Sequence, residues 1–239
     1  MFAHRLTIDP VELAFTDRLG GVSASPYDAL NLARVGGDAP EAIAENWRRV
    51  LEVLAPDAAV LCDMQQVHGN VVAVADPAAV DAPVCDAIVT DRPDVVLAVR
   101  VADCVPVLLA DPSAGVVGAA HAGRKGVELD VVGATVARMR DLGATTITAW
   151  IGPHVCGGCY EVPQQMQDEV TAIEPATLAT TTWGTPALDL GAGVRAQLER
   201  AGVTVEHLGP CTLEDSTLFS HRRDADGAGR LAGLIRVRA

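Results

Sequence analysis

The sequence predicts one compact α/β domain, residues 1–239, with an extensive mixed sheet. Three observations lead there. From residue 59 onward, short runs rich in Val, Ile, Leu and Ala alternate with turn residues. Stretches with helical periodicity interrupt those runs without a strict strand–helix–strand alternation. No internal repeat, low-complexity segment or proline-rich linker divides the chain.

The elements follow in order. An apolar stretch over residues 6–16 ends at Phe15-Thr16, and a glycine-rich turn, Asp17-Arg18-Leu19-Gly20-Gly21-Val22-Ser23, opens an irregular region reaching Gly36-Gly37-Asp38. Asp38-Ala39-Pro40-Glu41 reads as a helix start, with Asp38 at the cap and Pro40 early. Ile43, Trp47, Val50, Leu51 and Leu54 continue it at helical spacing, and Pro56 stops it. Strands are expected at Ala59–Cys62, Val71–Ala75, Ala87–Thr90, Val95–Val101, Val105–Ala110 and Val116–Ala120, the last two joined by a hairpin loop over Asp111–Gly115. Gly126–Leu142 is the clearest helix of the middle region. Then come a strand at Ile147–Ile151, helices at Pro163–Ile173 and Leu188–Ala201, and strands at Val203–His207, Leu218–Ser220 and Leu231–Val237.

Composition narrows the function. Hydrophobic residues are 49% and charged residues 21%, enough to fill a large core, whereas aromatics are only 3%, too few for a base-stacking platform. The net charge of −13 argues against nucleic acid and against an anionic membrane surface. An anionic ligand therefore needs a local basic spot. Met1 to Pro10 carries His4, Arg5 and Asp9 and has no apolar core of a signal peptide. No run approaches the ~18 apolar residues of a membrane span. A cytoplasmic protein with reduced thiols is expected, despite its six cysteines.

Three residues stand out: His68 in Gln65-Gln66-Val67-His68-Gly69, Cys104 in Ala102-Asp103-Cys104, and His121 in Ala119-Ala120-His121-Ala122-Gly123. Each lies at a junction of strand and turn. Two imidazoles and a thiolate make three corners of a tetrahedral zinc site, leaving the fourth for an exchangeable ligand. The ligands are 36 and 17 positions apart (68 to 104, 104 to 121), so only a fold can gather them. The alternative is a buried free cysteine and two ordinary histidines. Arg124-Lys125 and Arg222-Arg223, with Arg230 nearby, are basic spots suited to a phosphate, or to surface ion pairs with Asp224 and Asp226. Cys156-Gly157-Gly158-Cys159 reads as a tight pocket-lining loop rather than a redox pair, since no thioredoxin-like context surrounds it.

Thr16-Asp17-Arg18-Leu19-Gly20-Gly21-Val22-Ser23, Asn31-Leu32, Gln66-Val67-His68-Gly69, Thr90, Ala102-Asp103-Cys104-Val105-Pro106, His121-Ala122-Gly123, Ile151-Gly152-Pro153, Cys159-Tyr160-Glu161-Val162, Asp189-Leu190, Cys211-Thr212 and Phe219-Ser220-His221-Arg222-Arg223 occur in order along residues 16–223. The chain thereby resembles the laccase-domain family, described as polyphenol oxidase-like, as purine nucleoside phosphorylase and as peptidoglycan editing factor. The resemblance implies stacked mixed sheets flanked by helices (the α+β type) and a Zn2+ ion on His68, Cys104 and His121, with Cu2+ as the other metal. It implies phosphorolysis of adenosine, inosine and methylthioadenosine, with adenosine deamination as a side activity. Asp103, Arg222 and Arg223 are the catalytic candidates. Arg124, Arg18 and Asn31 are the candidates for substrate and phosphate. Two departures stand out. The family usually reads His-Ala-Gly-Trp-Arg-Gly where this chain has His121-Ala122-Gly123-Arg124-Lys125-Gly126, and often has tyrosine where His221 stands. Rival readings are a cysteine hydrolase using Cys104 with His121 as base, a non-catalytic editing factor for cell-wall precursors, and a copper phenol oxidase, for which six histidines in all are few. Purine nucleosides and phosphate are the expected partners; no residue pattern identifies a protein partner.

Overall fold

The computed structural model describes residues 1–57 and 59–238. In chain order the elements are β1 (Phe2–Ile8), β2 (Val11–Thr16), α1 (Pro40–Leu54), β3 (Val60–Cys62), β4 (Val72–Val74), β5 (Ala87–Thr90), β6 (Val95–Val101), β7 (Val105–Asp111) and β8 (Val116–Ala122). They continue with α2 (Arg124–Glu128), α3 (Val131–Asp141), β9 (Thr148–Ile151), α4 (Gln164–Ile173), β10 (Leu178–Thr180), β11 (Pro186–Leu188), α5 (Leu190–Arg200), β12 (Thr204–His207), α6 (His221–Asp224) and β13 (Leu231–Val237). The strands form one sheet in the order β1-β2-β13-β6-β3, a second in the order β12-β9-β7-β8-β5-β4, and a small β10-β11 ribbon. Both large sheets are mixed. β3 runs parallel to β6 and β13 antiparallel to it, while β4 is parallel to β5 and β7 antiparallel to β8.

Side-chain alternation explains the layering. On β6, Val95, Leu97 and Val99 face the second sheet and meet Ile88, Leu108, Val117 and Trp150. Val96, between them, faces α1 and packs with Val50, Leu54, Ala14 and Leu234. On β7, Leu108 points to the first sheet while Val107 and Leu109 point to Val136, Met139, Val194 and Leu198 of α3 and α5. Two faces of each central strand are therefore buried, so the strands read as continuous apolar runs rather than as alternating ones. The result is four layers: α1, the first sheet, the second sheet, and α2–α5.

Most of the expected elements are present to within two residues. Four differ. The expected helix over Gly126–Leu142 is two helices, α2 and α3, because Asp130 between them takes φ +54 and caps α3 through its carboxylate, which accepts from the Gly133 amide. Leu218–Ser220 is not a strand. Phe219 is fully buried, its ring closing on Gly229, and the Ser220 hydroxyl caps α6 by accepting from the Arg223 amide. Asp38 does not cap α1. Ala39 is the cap residue, and the Asp38 carboxylate instead accepts from the Ser23 hydroxyl and the Asn31 amide nitrogen. β1 is a half-exposed edge strand with little apolar signal, paired to β2 in a hairpin. The glycine-rich segment before α1 is held down by Asn46 of α1, whose amide donates to Ser23 Oγ, Ala29 O and Asn31 O. Gly21 permits that approach, since a Cβ there would lie 2.2 Å from Ala29 O. Among the described residues no helix is long and apolar enough to cross a membrane.

Candidate metal centre

The centre lies where the chain passes from one sheet to the other. Cys104 belongs to the short link from β6 in the first sheet to β7 in the second, and His68 to the link from β3 to β4. His121 sits near the end of β8, opposite Pro106 of β7. Both links are sharp: His68 takes φ +61 and Asp103 φ +84, in the left-handed region that non-glycine residues enter at a cost of about 1–3 kcal/mol each. The side chain of Gln66 stiffens the first link by pairing like a strand with Arg100 at the end of β6, accepting from its N–H at 2.9 Å and donating to its carbonyl at 2.8 Å.

His68, Cys104 and His121 offer ligand atoms that all lie within 4.8 Å of one another. Cys104 Sγ is 3.8 Å from His68 Nε2, and the two imidazole rings meet edge to face with centroids 4.8 Å apart. A carboxylate organises them. Asp86 is fully buried; its Oδ1 accepts from His121 Nδ1 at 2.8 Å and from the His68 N–H at 2.9 Å, while Oδ2 accepts from the Val67 and Gly69 amides at 3.1 and 2.7 Å. One carboxylate thus orients the His121 ring, turns its Nε2 toward the cluster and holds the backbone of the His68 link, the role an outer carboxylate plays beside a metal-bound imidazole. Gly123 leaves the room: a Cβ there would stand 2.7 Å from His68 Cδ2 and 3.1 Å from Cys104 Sγ. A borderline donor set, an oriented imidazole and a cleared cradle fit a divalent transition-metal ion.

Electrostatics favours a thiolate. Burial works against the charge on Cys104, but the His121 and His68 imidazoles outweigh it and bring the thiol down to about 6. Burial likewise opposes charge on His121, and Asp86 and Cys104 together raise it to about 9. Asp86 is held below the usual carboxylate range: burial pushes it up, and the His121 bond and the Gly69 and Val67 amides push it further down.

The cluster opens onto a cleft of about 550 Å³ lined by His68, Cys104, His121, Arg100, His221 and Arg230. Val35 and Val67, both well exposed, stand at its mouth. Asp103 is beside Cys104, its Oδ1 accepting from the Thr212 hydroxyl and its Oδ2 from the Arg222 amide, both at 2.6 Å. The Arg222 guanidinium lies 5.0 Å over the Tyr160 ring, and among the described residues no carboxylate pairs with it. Burial chiefly, then the Cys104 charge, raises the Tyr160 phenol, with Arg222 and Arg124 opposing.

Other expected residues are engaged elsewhere. Arg223 donates to the carbonyls of Thr212, Leu213, Asp215 and Leu218 and pairs with Asp224, so it staples the 212–218 segment. Arg124 and Lys125 converge on Glu128. Arg18 stacks 4.5 Å over Phe219 and donates to Asp28 O. Asn31 is buried; it donates to Asp38 and accepts from the Ala33 and Arg230 amides. Sequence reading missed Asp86, although Cys85-Asp86 ahead of β5 is a polar residue at the mouth of an apolar strand, as Asp103 is ahead of β7.

Comparison with known proteins agrees with this architecture. The profile of the family described as multi-copper polyphenol oxidoreductase laccase matches residues 12–238. The chain is 54% identical over 228 residues to a Streptomyces griseus protein named purine nucleoside phosphorylase, covering 93% of this chain and 92% of that one. It is 52% identical over 240 residues to a protein of the same name from Streptomyces coelicolor, covering 98% and 99%. A crystal structure of a Neisseria meningitidis protein superposes with a TM-score of 0.86 at 34% identity, over 97% of this chain and 96% of that one. From its fold, its cluster and these matches, the chain belongs to the multi-copper polyphenol oxidoreductase laccase family.

Proposed function

We propose that this chain, acting as one domain over residues 1–239, is a zinc-dependent purine nucleoside phosphorylase of the cytoplasm. The observation that carries the reading is the convergence of His68, Cys104 and His121 at the floor of a cleft that also holds Arg230. The names of the Streptomyces relatives support the reaction class. Two imidazoles and one thiolate with a fourth position open suit a catalytic zinc ion, and two imidazoles are fewer than a multicopper centre needs. Six free cysteines suit a reducing compartment.

In this reading His68, Cys104 and His121 hold the ion, which when bound supplies Lewis acidity and an open coordination position. Asp86 fixes the His121 tautomer by accepting the Nδ1–H hydrogen bond. Arg222, which pairs with no carboxylate among the described residues, holds the phosphate that attacks ribose C1′ as the glycosidic bond breaks and the purine leaves. Asp103 positions Arg222 and the Cys104 link with its two carboxylate oxygens. Arg223 keeps Arg222 and Thr212 in register, and the Arg124–Glu128 pair sets the charge beside Tyr160. Arg18 and Asn31 brace the segments that carry Phe219 and Arg230. Val35 and Val67 offer apolar contact to a base. Adenosine, inosine and methylthioadenosine are the proposed substrates. Deamination of adenosine, in which water attacks C6 and ammonia leaves, is the proposed side reaction.

Metal analysis followed by incubation with adenosine tests this. With phosphate, adenine and ribose 1-phosphate are expected; without it, inosine. A metal-loaded protein that forms neither overturns the proposal. One rival has an observation of its own: the low Cys104 thiol beside His121 suits a cysteine hydrolase. Turnover that survives chelation but not alkylation of Cys104 would select it.

A further inference from the structure

A second group of ligands lies outside this centre. Cys156, Cys159, Cys211 and Glu214 bring three sulfurs and a carboxylate oxygen within 4.8 Å of one another. They come from two segments, the turn after β9 and the stretch before α6. The Cys159 and Tyr160 amides both donate to Cys156 O at 3.0 Å, and that turn puts the first two sulfurs on one side. Gly157 lets it pack down, since a Cβ there would stand 2.8 Å from Asp189 Cβ. The second segment is laid alongside: His154 and Cys211 form a bridge, the Thr212 amide donates to His154 O at 3.0 Å, and the Cys156 amide donates to Cys211 Sγ at 3.3 Å. Cys159 and Cys211 are 5% and 9% exposed. Among the described residues no lysine or arginine pairs with Glu214.

We infer that Cys156, Cys159, Cys211 and Glu214 form a second, closed site for a zinc-class divalent ion. Three thiols cannot all pair as disulfides, and all six cysteines are free. Two cysteines separated by two residues, a third from a distant segment and a carboxylate supply four protein ligands, the mark of a structural rather than a catalytic site. Soft thiolates select zinc-like metals over magnesium or calcium. Each coordinating thiol releases its proton to solvent on binding, and no electron is transferred. The ion clips together the loop that carries Tyr160 and the segment whose Thr212 hydroxyl bonds Asp103. It thereby braces one wall of the first centre without joining it.

Metal counting separates the two sites. Wild-type protein reconstituted with zinc should hold two ions per chain by mass spectrometry. His68→Ala should hold one, and its cobalt-substituted form should show an intense thiolate-to-cobalt charge-transfer band from three sulfurs. The double variant Cys156→Ser/Cys211→Ser should also hold one, with only the weaker single-thiolate band. If the double variant does not fold, the wild-type protein still decides. Alkylation of Cys156, mapped on peptides, should slow at least tenfold with zinc and recover on chelation. A metal-free His68→Ala protein, alkylation of Cys156 indifferent to zinc, or a thiol count of four that reductant raises to six would each overturn the inference. The last result would make the cluster a redox pair. Loss of nucleoside turnover in a chain that still binds two ions would sink the phosphorylase proposal and leave this one standing.

Discussion

The two cysteine clusters differ in what holds their ligands. In the first, the donors come from three separate segments, two of them links between sheets, and depend on one buried carboxylate, Asp86, for orientation. In the second, two donors lie in a single turn and the others in a segment bonded to it through backbone amides. The first opens on a cleft and the second packs against Val155 and Leu213. An exchangeable position needs outside support, because the missing fourth ligand leaves the geometry underdetermined. A closed site can be held by its own backbone.

Five substitutions at four positions probe that difference, the positions taken in falling order of expected effect on stability. Asp86→Ala leaves three amides and an imidazole N–H without their acceptor inside the protein. Removing one partner of a buried charged network costs about 3–5 kcal/mol, so urea unfolding should shift by that much. Asp86→Asn should be milder, weakening metal affinity at the first centre about 10–100-fold while the second keeps its ion. Equal loss at both sites would break the comparison.

Asp111→Asn is the matched control, a buried carboxylate remote from both clusters. Its Oδ1 accepts from the Ser113 hydroxyl and the Ser113 and Ala114 amides, and its Oδ2 from the Thr145 and Thr146 amides. Burial raises its pKa, but these donors win and hold it well below the usual carboxylate range. Its stabilisation is therefore full above the unfolded value and lost as pH falls through the folded one. The substitution should cost about 1–3 kcal/mol at neutral pH. It should flatten the acid limb of the unfolding curve and leave metal content unchanged. A drop in metal content would show that the two carboxylates are not independent.

Gly123→Ala should cost under about 1 kcal/mol in stability, because the His68 ring can swing aside. The same displacement should weaken metal binding at the first centre about tenfold, a penalty of about 1.4 kcal/mol. Arg222→Ala should move stability least, by less than about 1 kcal/mol for an exposed cation over a ring. It should raise the phosphate KM while leaving both ions in place. Unchanged phosphate dependence would remove Arg222 from the reaction.

Local chemistry in the chain announced much of this. β5, β6 and β13 match their expected limits to the residue and β7 differs by one, because burial on both faces makes each a mostly apolar run, with polar residues only at or next to its end. Asp189 marked the start of α5, its carboxylate accepting from the Ala192 amide at 2.8 Å. His68, Cys104 and His121 stood out as candidate donors from their residue types and their places at strand ends, and the fold brings them together.

Tertiary structure alone decided the rest. Asp86 looks like any acidic residue until β5 pairs with β8 and brings it under His121. Arg223 looks like a phosphate ligand until the 212–218 carbonyls surround it. Asp130 reads as an ordinary helical position until the chain turns there between α2 and α3. Residue type and periodicity act over a few positions, so they specify which groups a segment offers. Which groups meet depends on sheet crossings that join segments tens of residues apart, and packing between layers sets those crossings.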